Sequence, residues 1–137
     1  YTSRLSSAAS DVYKRQAIRF QWHAQPAVRA DLEQLKQIIP ARTTMYHFPP
    51  RHNSIYYLLE TYSASPYGYV YFLPELQEIA WEDCRYVICL QGDLDETDRR
   101  YWSEIGRDVV ERLLTEQGFE RSNDVPLRTM RLWRRSE

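Results

Sequence analysis

Arg51-His52-Asn53 sets a permanent cation, an imidazole and an amide side by side. Between a strand and a helix, such a trio would stand beside the free amides of the helix N-terminus. That combination can hold a phosphate or a carboxylate. Arg51, His52 and Asn53 are therefore the candidate anion-binding residues, with a small anionic ligand as the expected partner. The loop contains no glycine to let the backbone approach a ligand, so it is neither a P-loop nor a dinucleotide fingerprint. The plain alternative is a solvated loop in which Asn53 or Ser54 caps the next helix.

Other chemistry-bearing residues point less sharply. Asp93, Asp95, Glu96 and Asp98 form an acidic run. Asp93, Asp95, Thr97 and Glu104 fall at calcium-loop spacing, but Asp98 stands where that loop needs glycine. The run is better read as capping a helix and opposing its positive N-terminal dipole. His23, His47 and His52 lack metal-ligand spacing, so no metal is expected, and no cofactor motif occurs. Tyr67, Tyr69 and Tyr71 alternate along one stretch, as a stacking platform for a sugar or base would, or as a half-buried strand face would. Cys84 and Cys89 read as buried free thiols with no disulfide partner. No nucleophile elbow or zinc-protease helix is present, so no catalytic residue is assigned.

The elements that must position these residues follow from periodicity. Ala17–His23 alternates like a half-buried strand. Pro26 suits a first helical turn. Val28, Leu32, Leu35 and Ile39 then form one helical face before Pro40 stops it. Thr43–Phe48 reads as a short strand. Residues 54–62 read as a helix on Ile55, Leu58, Leu59 and Tyr62, with a strand as the competing assignment. Tyr69–Leu73 reads as a strand. The apolar run in Arg85–Gln91 suits a central parallel strand covered on both faces.

A single helix is expected from about Thr97 to Gln117, with Trp102, Ile105, Val109 and Leu113 as its stripe and Gly118 as its left-handed cap. Gly106 inside it would cost ~1 kcal/mol against alanine, in exchange for close packing. Leu127–Arg134 reads as a last strand at a sheet edge, because arginines fall on both its faces. The order β-α-β-α-β-β-α-β predicts an α/β fold, a layered and mostly parallel sheet with flanking helices. The alternative is an α+β ferredoxin-like fold, which needs residues 54–62 to be strand.

Residues 1–16 stand apart. They open on Tyr1, are rich in serine and alanine, and contain Ser7–Gln16, which resembles a translated library adaptor. They are read as a non-native or disordered tail, and residues 17–137 as a single domain. The chain carries a net charge of −1. Residues 1–16 contribute Arg4, Lys14 and Arg15 against Asp11, so the domain proper is more acidic still. That is no footprint for a nucleic acid, and no nucleic-acid partner is expected. Arg128, Arg131, Arg134 and Arg135 read as a solvated edge. No window approaches the ~18 apolar residues needed to span a bilayer.

Four segments, in order, carry a likeness. They are Asp31–Pro40, Thr44–Phe48, Ser54–Leu59, and Gly118-Phe119-Glu120 followed by Leu132–Arg135. Together, over about residues 25–135, they resemble the soluble C-terminal domain of bacterial membrane glycosyltransferases that use polyprenyl-phosphate sugars, the protein-mannosyl and aminoarabinose transferase relatives. The resemblance implies an accessory domain on the extracytoplasmic face, with a membrane domain as partner. The family's catalytic acidic residues lie between membrane helices, so none falls on this chain. Two other readings stand beside it. One is a free-standing cytoplasmic ligand-binding domain or enzyme using the Arg51–Asn53 loop. The other is a protein-interaction module.

Overall fold

The computed structural model describes residues 25–50, 52, 54–65, 79–91 and 96–135. The tail at residues 1–16, the strands expected at Ala17–His23 and Tyr69–Leu73, and Tyr67 lie outside the described residues. So do Arg51, Asn53, Asp93 and Asp95.

The protein has an α/β fold. Its described elements are α1 (Pro26–Ile38), β1 (Thr44–Phe48), α2 (Ser54–Leu59), β2 (Tyr62–Ser63), β3 (Tyr86–Leu90), α3 (Glu96–Ile105), α4 (Arg107–Glu116), β4 (Phe119–Arg121) and β5 (Met130–Arg135). The strands form a mixed five-stranded sheet in the order β2-β1-β3-β5-β4. β2, β1 and β3 run parallel, and β5 runs antiparallel to both β3 and β4. β3 is central, pairing over Tyr86–Cys89 with β1 and over Tyr86–Leu90 with β5, with His47 opposite Ile88 and Ile88 opposite Leu132.

Strand alternation divides the core into two layers. Met45, Ile88, Leu90, Met130 and Leu132 pack with Val28, Leu32, Leu35, Ile39, Ile55 and Leu59 of the α1–α2 side. Tyr46, Phe48, Val87, Cys89 and Trp133 pack with Tyr101, Trp102, Val110, Leu114 and Phe119 on the other side. The expected stripe of the first helix is fully buried, and Pro26 opens that helix as its first residue.

Helix rather than strand holds at Ser54–Leu59, and its end is a Schellman turn. Thr61 N–H donates to the Tyr56 carbonyl at 2.8 Å and Glu60 N–H to the Tyr57 carbonyl at 3.2 Å. Glu60 takes the left-handed position, φ +57°, which favours glycine. The chain then enters β2, so the helix stops short of residue 62.

Two expectations are corrected. The single helix over 97–117 is two helices. Gly106 has φ +90° and ψ 131° and breaks the run. Helical counting does not carry across an extended residue, so the buried positions after the break are Val110 and Leu114 rather than the expected Val109 and Leu113. The last strand is also not an edge. β5 lies between β3 and β4, and β4 was not foreseen. Its arginines are tolerated inside the sheet because their guanidinium groups reach past the strand ends. Arg135 donates to the carbonyls of Gln117, Cys84 and Trp81 and lies over the Phe119 ring, 4.7 Å from its centroid. Arg134 pairs with Asp124 at 2.7 Å, and Arg131 donates to the Leu127 carbonyl.

The Gly106 geometry reverses the sign of a substitution. Within a helix, alanine would be the better residue. At φ +90° it is strained, although an added Cβ would meet only Val109 Cγ2 at 3.7 Å. Gly106→Ala is expected to cost about 1–3 kcal/mol, read from a chemical denaturation midpoint. A gain in stability would mean that α3 and α4 form one continuous helix in solution.

Candidate functional site

The parallel strands β1 and β3 end side by side, and His52, the described member of the Arg51–Asn53 trio, follows the end of β1. His47 lies on β1, facing the α1–α2 layer, 1% exposed, with its ring 5.0 Å from that of Tyr56. The backbone N–H of His52 donates to His47 Nε2 at 3.2 Å. This bond assigns the proton to His47 Nδ1, which finds no hydrogen-bond partner among the described residues. Burial, helped by the neighbouring His52, pushes the His47 pKa down to about 3, so the imidazole is neutral at ordinary pH.

The His52 ring turns the other way. Its Nε2 lies 3.0 and 3.2 Å from the two oxygens of Asp98. Asp98 stands in the first turn of α3 and is fully buried. His52 thus ties β1, through the His47 ring, to the first turn of α3. Of the three candidate anion-binding residues, His52 is the one described, and its imidazole faces a carboxylate. Of the acidic run, Glu96 is exposed while Asp98 is buried. Among the described residues no three His, Cys, Asp or Glu side chains come together as a metal site.

Cys84 and Cys89 are free and buried, and burial pushes both thiols up to about 12. They are protonated and inert as nucleophiles at neutral pH. Asp31, on the apolar face of α1, is 2% exposed. It accepts hydrogen bonds from the backbone N–H groups of Arg128 and Thr129 and from the Thr129 hydroxyl. Arg107 donates to the carbonyls of Leu90 and Gln91 and stacks over Trp102 at 4.4 Å. These charged groups serve the packing.

An open recess lies elsewhere, at the β2 edge. A groove of about 570 Å³ runs between the C-terminal end of α1 and α2, lined by Lys36, Arg42, Tyr57, Glu60, Thr61 and Tyr62, among others. A second recess of about 300 Å³ continues from Lys36 and Leu58 towards Arg29 and Glu33. Tyr57 is 85% exposed and Tyr62 59%, and they are the exposed large hydrophobic side chains of the described residues. Arg42 and Glu60 are the two non-glycine residues with positive φ among those described, at +67° and +57°. Arg42 N–H donates to the Glu60 carbonyl at 2.7 Å, so one hydrogen bond fixes both turns.

Nothing in the sequence pattern marked this groove, because its walls come from two turns that meet only in the fold. The nearest signal is a pair of omissions: each turn holds a charged residue where glycine is preferred. Glu60→Gly is accordingly expected to stabilise the protein by about 1 kcal/mol, seen as a higher denaturation midpoint. A lower midpoint would mean that the Glu60 side chain holds the turn together.

Among the described residues no helix is long and apolar enough to cross a membrane. Compared with protein-family models, with curated proteins and with solved structures, the chain finds no match.

Proposed function

We propose that this chain is the accessory domain of an integral-membrane glycosyltransferase of the polyprenyl-phosphate-sugar type. In this reading it stands on the extracytoplasmic face, supplies no catalytic residue, and recognises a ligand for the membrane domain. One observation carries the reading. Three of the segments that resemble that family, Asp31–Pro40, Thr44–Phe48 and Ser54–Leu59, pack against one another as α1, β1 and α2. The first and third also wall the open groove. Lys36, Tyr56, Tyr57 and Leu58 of these segments thus share that open surface with the turn residues beside them, whereas His47, the thiols and Asp31 are committed to the interior.

The test is the DNA upstream of codon 17 in an intact locus. Several apolar segments of about 20 residues each are expected there. An in-frame start codon directly before Ala17 would overturn the reading.

A further inference from the structure

We infer that the groove between α1, α2 and β2 binds an acidic sugar, a pyranose bearing a carboxylate or phosphate substituent. The inference deepens the reading above and rests on its use of this groove. Two features must be explained together: aromatic rings left in water, and an excess of cations. Tyr57 and Tyr62 line the groove and stay largely exposed. A pyranose offers C–H faces that pack on such rings, while its hydroxyls stay hydrated or reach polar side chains. Lys36 and Arg42 are both exposed and outnumber the single carboxylate of the main groove, Glu60.

Simple alternatives use only part of this arrangement. An inorganic anion would engage Lys36 and Arg42 but leave both tyrosines without a role. A purely apolar ligand would seek an enclosed pocket, not an open groove lined by three charged side chains. An acidic pyranose uses every group: its faces meet Tyr57 and Tyr62, its hydroxyls donate to Glu60, and its anionic substituent pairs with Arg42 and Lys36.

The backbone adds an independent argument. Arg42 and Glu60 each hold a left-handed conformation that glycine would adopt without strain. Both side chains line the groove. Charged side chains kept at two strained positions of one recess fit a binding role better than a structural one.

The experiment titrates the 137-residue chain with glucuronate and glucose 1-phosphate, with glucose, inorganic phosphate and anionic phospholipid vesicles as comparison probes, by calorimetry and amide chemical shifts. One of the acidic sugars is expected to bind with a Kd at or below ~1 mM, with glucose and phosphate each at least ~10-fold weaker. Tyr57→Ala and Tyr62→Ala should each weaken binding ~10-fold or more while leaving Tm unchanged. Glu60→Gly should weaken binding while raising Tm, an outcome that a structural role for Glu60 would not give. The inference fails if no acidic sugar binds below ~10 mM, if phosphate binds equally well and ignores the tyrosines, or if only vesicles bind. Sugar binding without upstream membrane segments would keep the site and remove the transferase context. Membrane segments without sugar binding would do the reverse.

Discussion

Replacing Asp31 by alanine is expected to cost the protein about 3–5 kcal/mol. The carboxylate is buried on α1 and accepts from three donors, at 3.1 Å from Arg128 N, 2.7 Å from Thr129 N and 2.6 Å from Thr129 Oγ1. Alanine would leave two backbone amides and a hydroxyl in the interior with nothing to accept them, and each orphaned donor costs roughly 1–3 kcal/mol. Asp31→Asn preserves the shape but turns one acceptor into a donor facing other donors, so about 2 kcal/mol is expected. Urea denaturation reads both values, as a lower midpoint at unchanged slope. A loss below about 1 kcal/mol for Asp31→Ala would mean that water satisfies these donors. The consequence reaches the groove, because Asp31 pins the helix that carries Arg29, Glu33 and Lys36 to the turn before β5.

Asp31 also illustrates what a sequence can disclose. It falls within the stripe Val28-Asp31-Leu32-Leu35, as Asp98 falls within Asp98-Tyr101-Trp102-Ile105. A carboxylate on an apolar face needs a buried partner, so both positions carried a readable signal. Within the acidic run, however, the composition of Asp98's neighbours points to helix capping. The identity of the partners was beyond reach, since Thr129 lies 98 residues from Asp31 and His52 lies 46 residues from Asp98. Only the fold brings such groups together.

The same division runs through the elements. α1 is legible because Val28, Leu32, Leu35 and Ile39 recur at helical spacing and prolines stand at both ends. β3 was legible because a continuous apolar run is tolerated only where both faces are covered, and the two core layers do cover it. The break at Gly106 was not legible. Residues 96–116 keep a helical composition throughout, and period alone does not report one positive φ. The interior placement of β5 is hidden in the sequence because arginine suggests solvent. Its long stem lets the charged end leave the sheet while the residue stays within it, as Arg135 does. For His52 nothing in the sequence marks its partner. The carboxylate that meets it comes from α3, 46 residues along the chain.

Acidification should expose the role of His47. The unfolded side chain titrates near 6.5, whereas burial and the nearby His52 hold the folded one at about 3. Above pH 6.5 both states carry the neutral imidazole, and the difference has no effect. Between pH 6.5 and 3 the unfolded chain binds the proton that the folded chain refuses. Stability must therefore fall as pH falls, by about 1.4 kcal/mol per pH unit and about 5 kcal/mol across the whole window. The interval from pH 6.5 to 5 is the cleanest, because most carboxylates remain ionised there, and about 2 kcal/mol should be lost within it. His47→Gln keeps an acceptor for the His52 amide and removes the titration. Its stability is expected to be flatter than that of the wild type by the same amount over the same interval. Denaturant midpoints collected at half-unit steps of pH would show this as two curves that converge on acidification. Parallel curves would mean that His47 can be protonated in place, and that the β1 end of the sheet opens to water more readily than its burial implies.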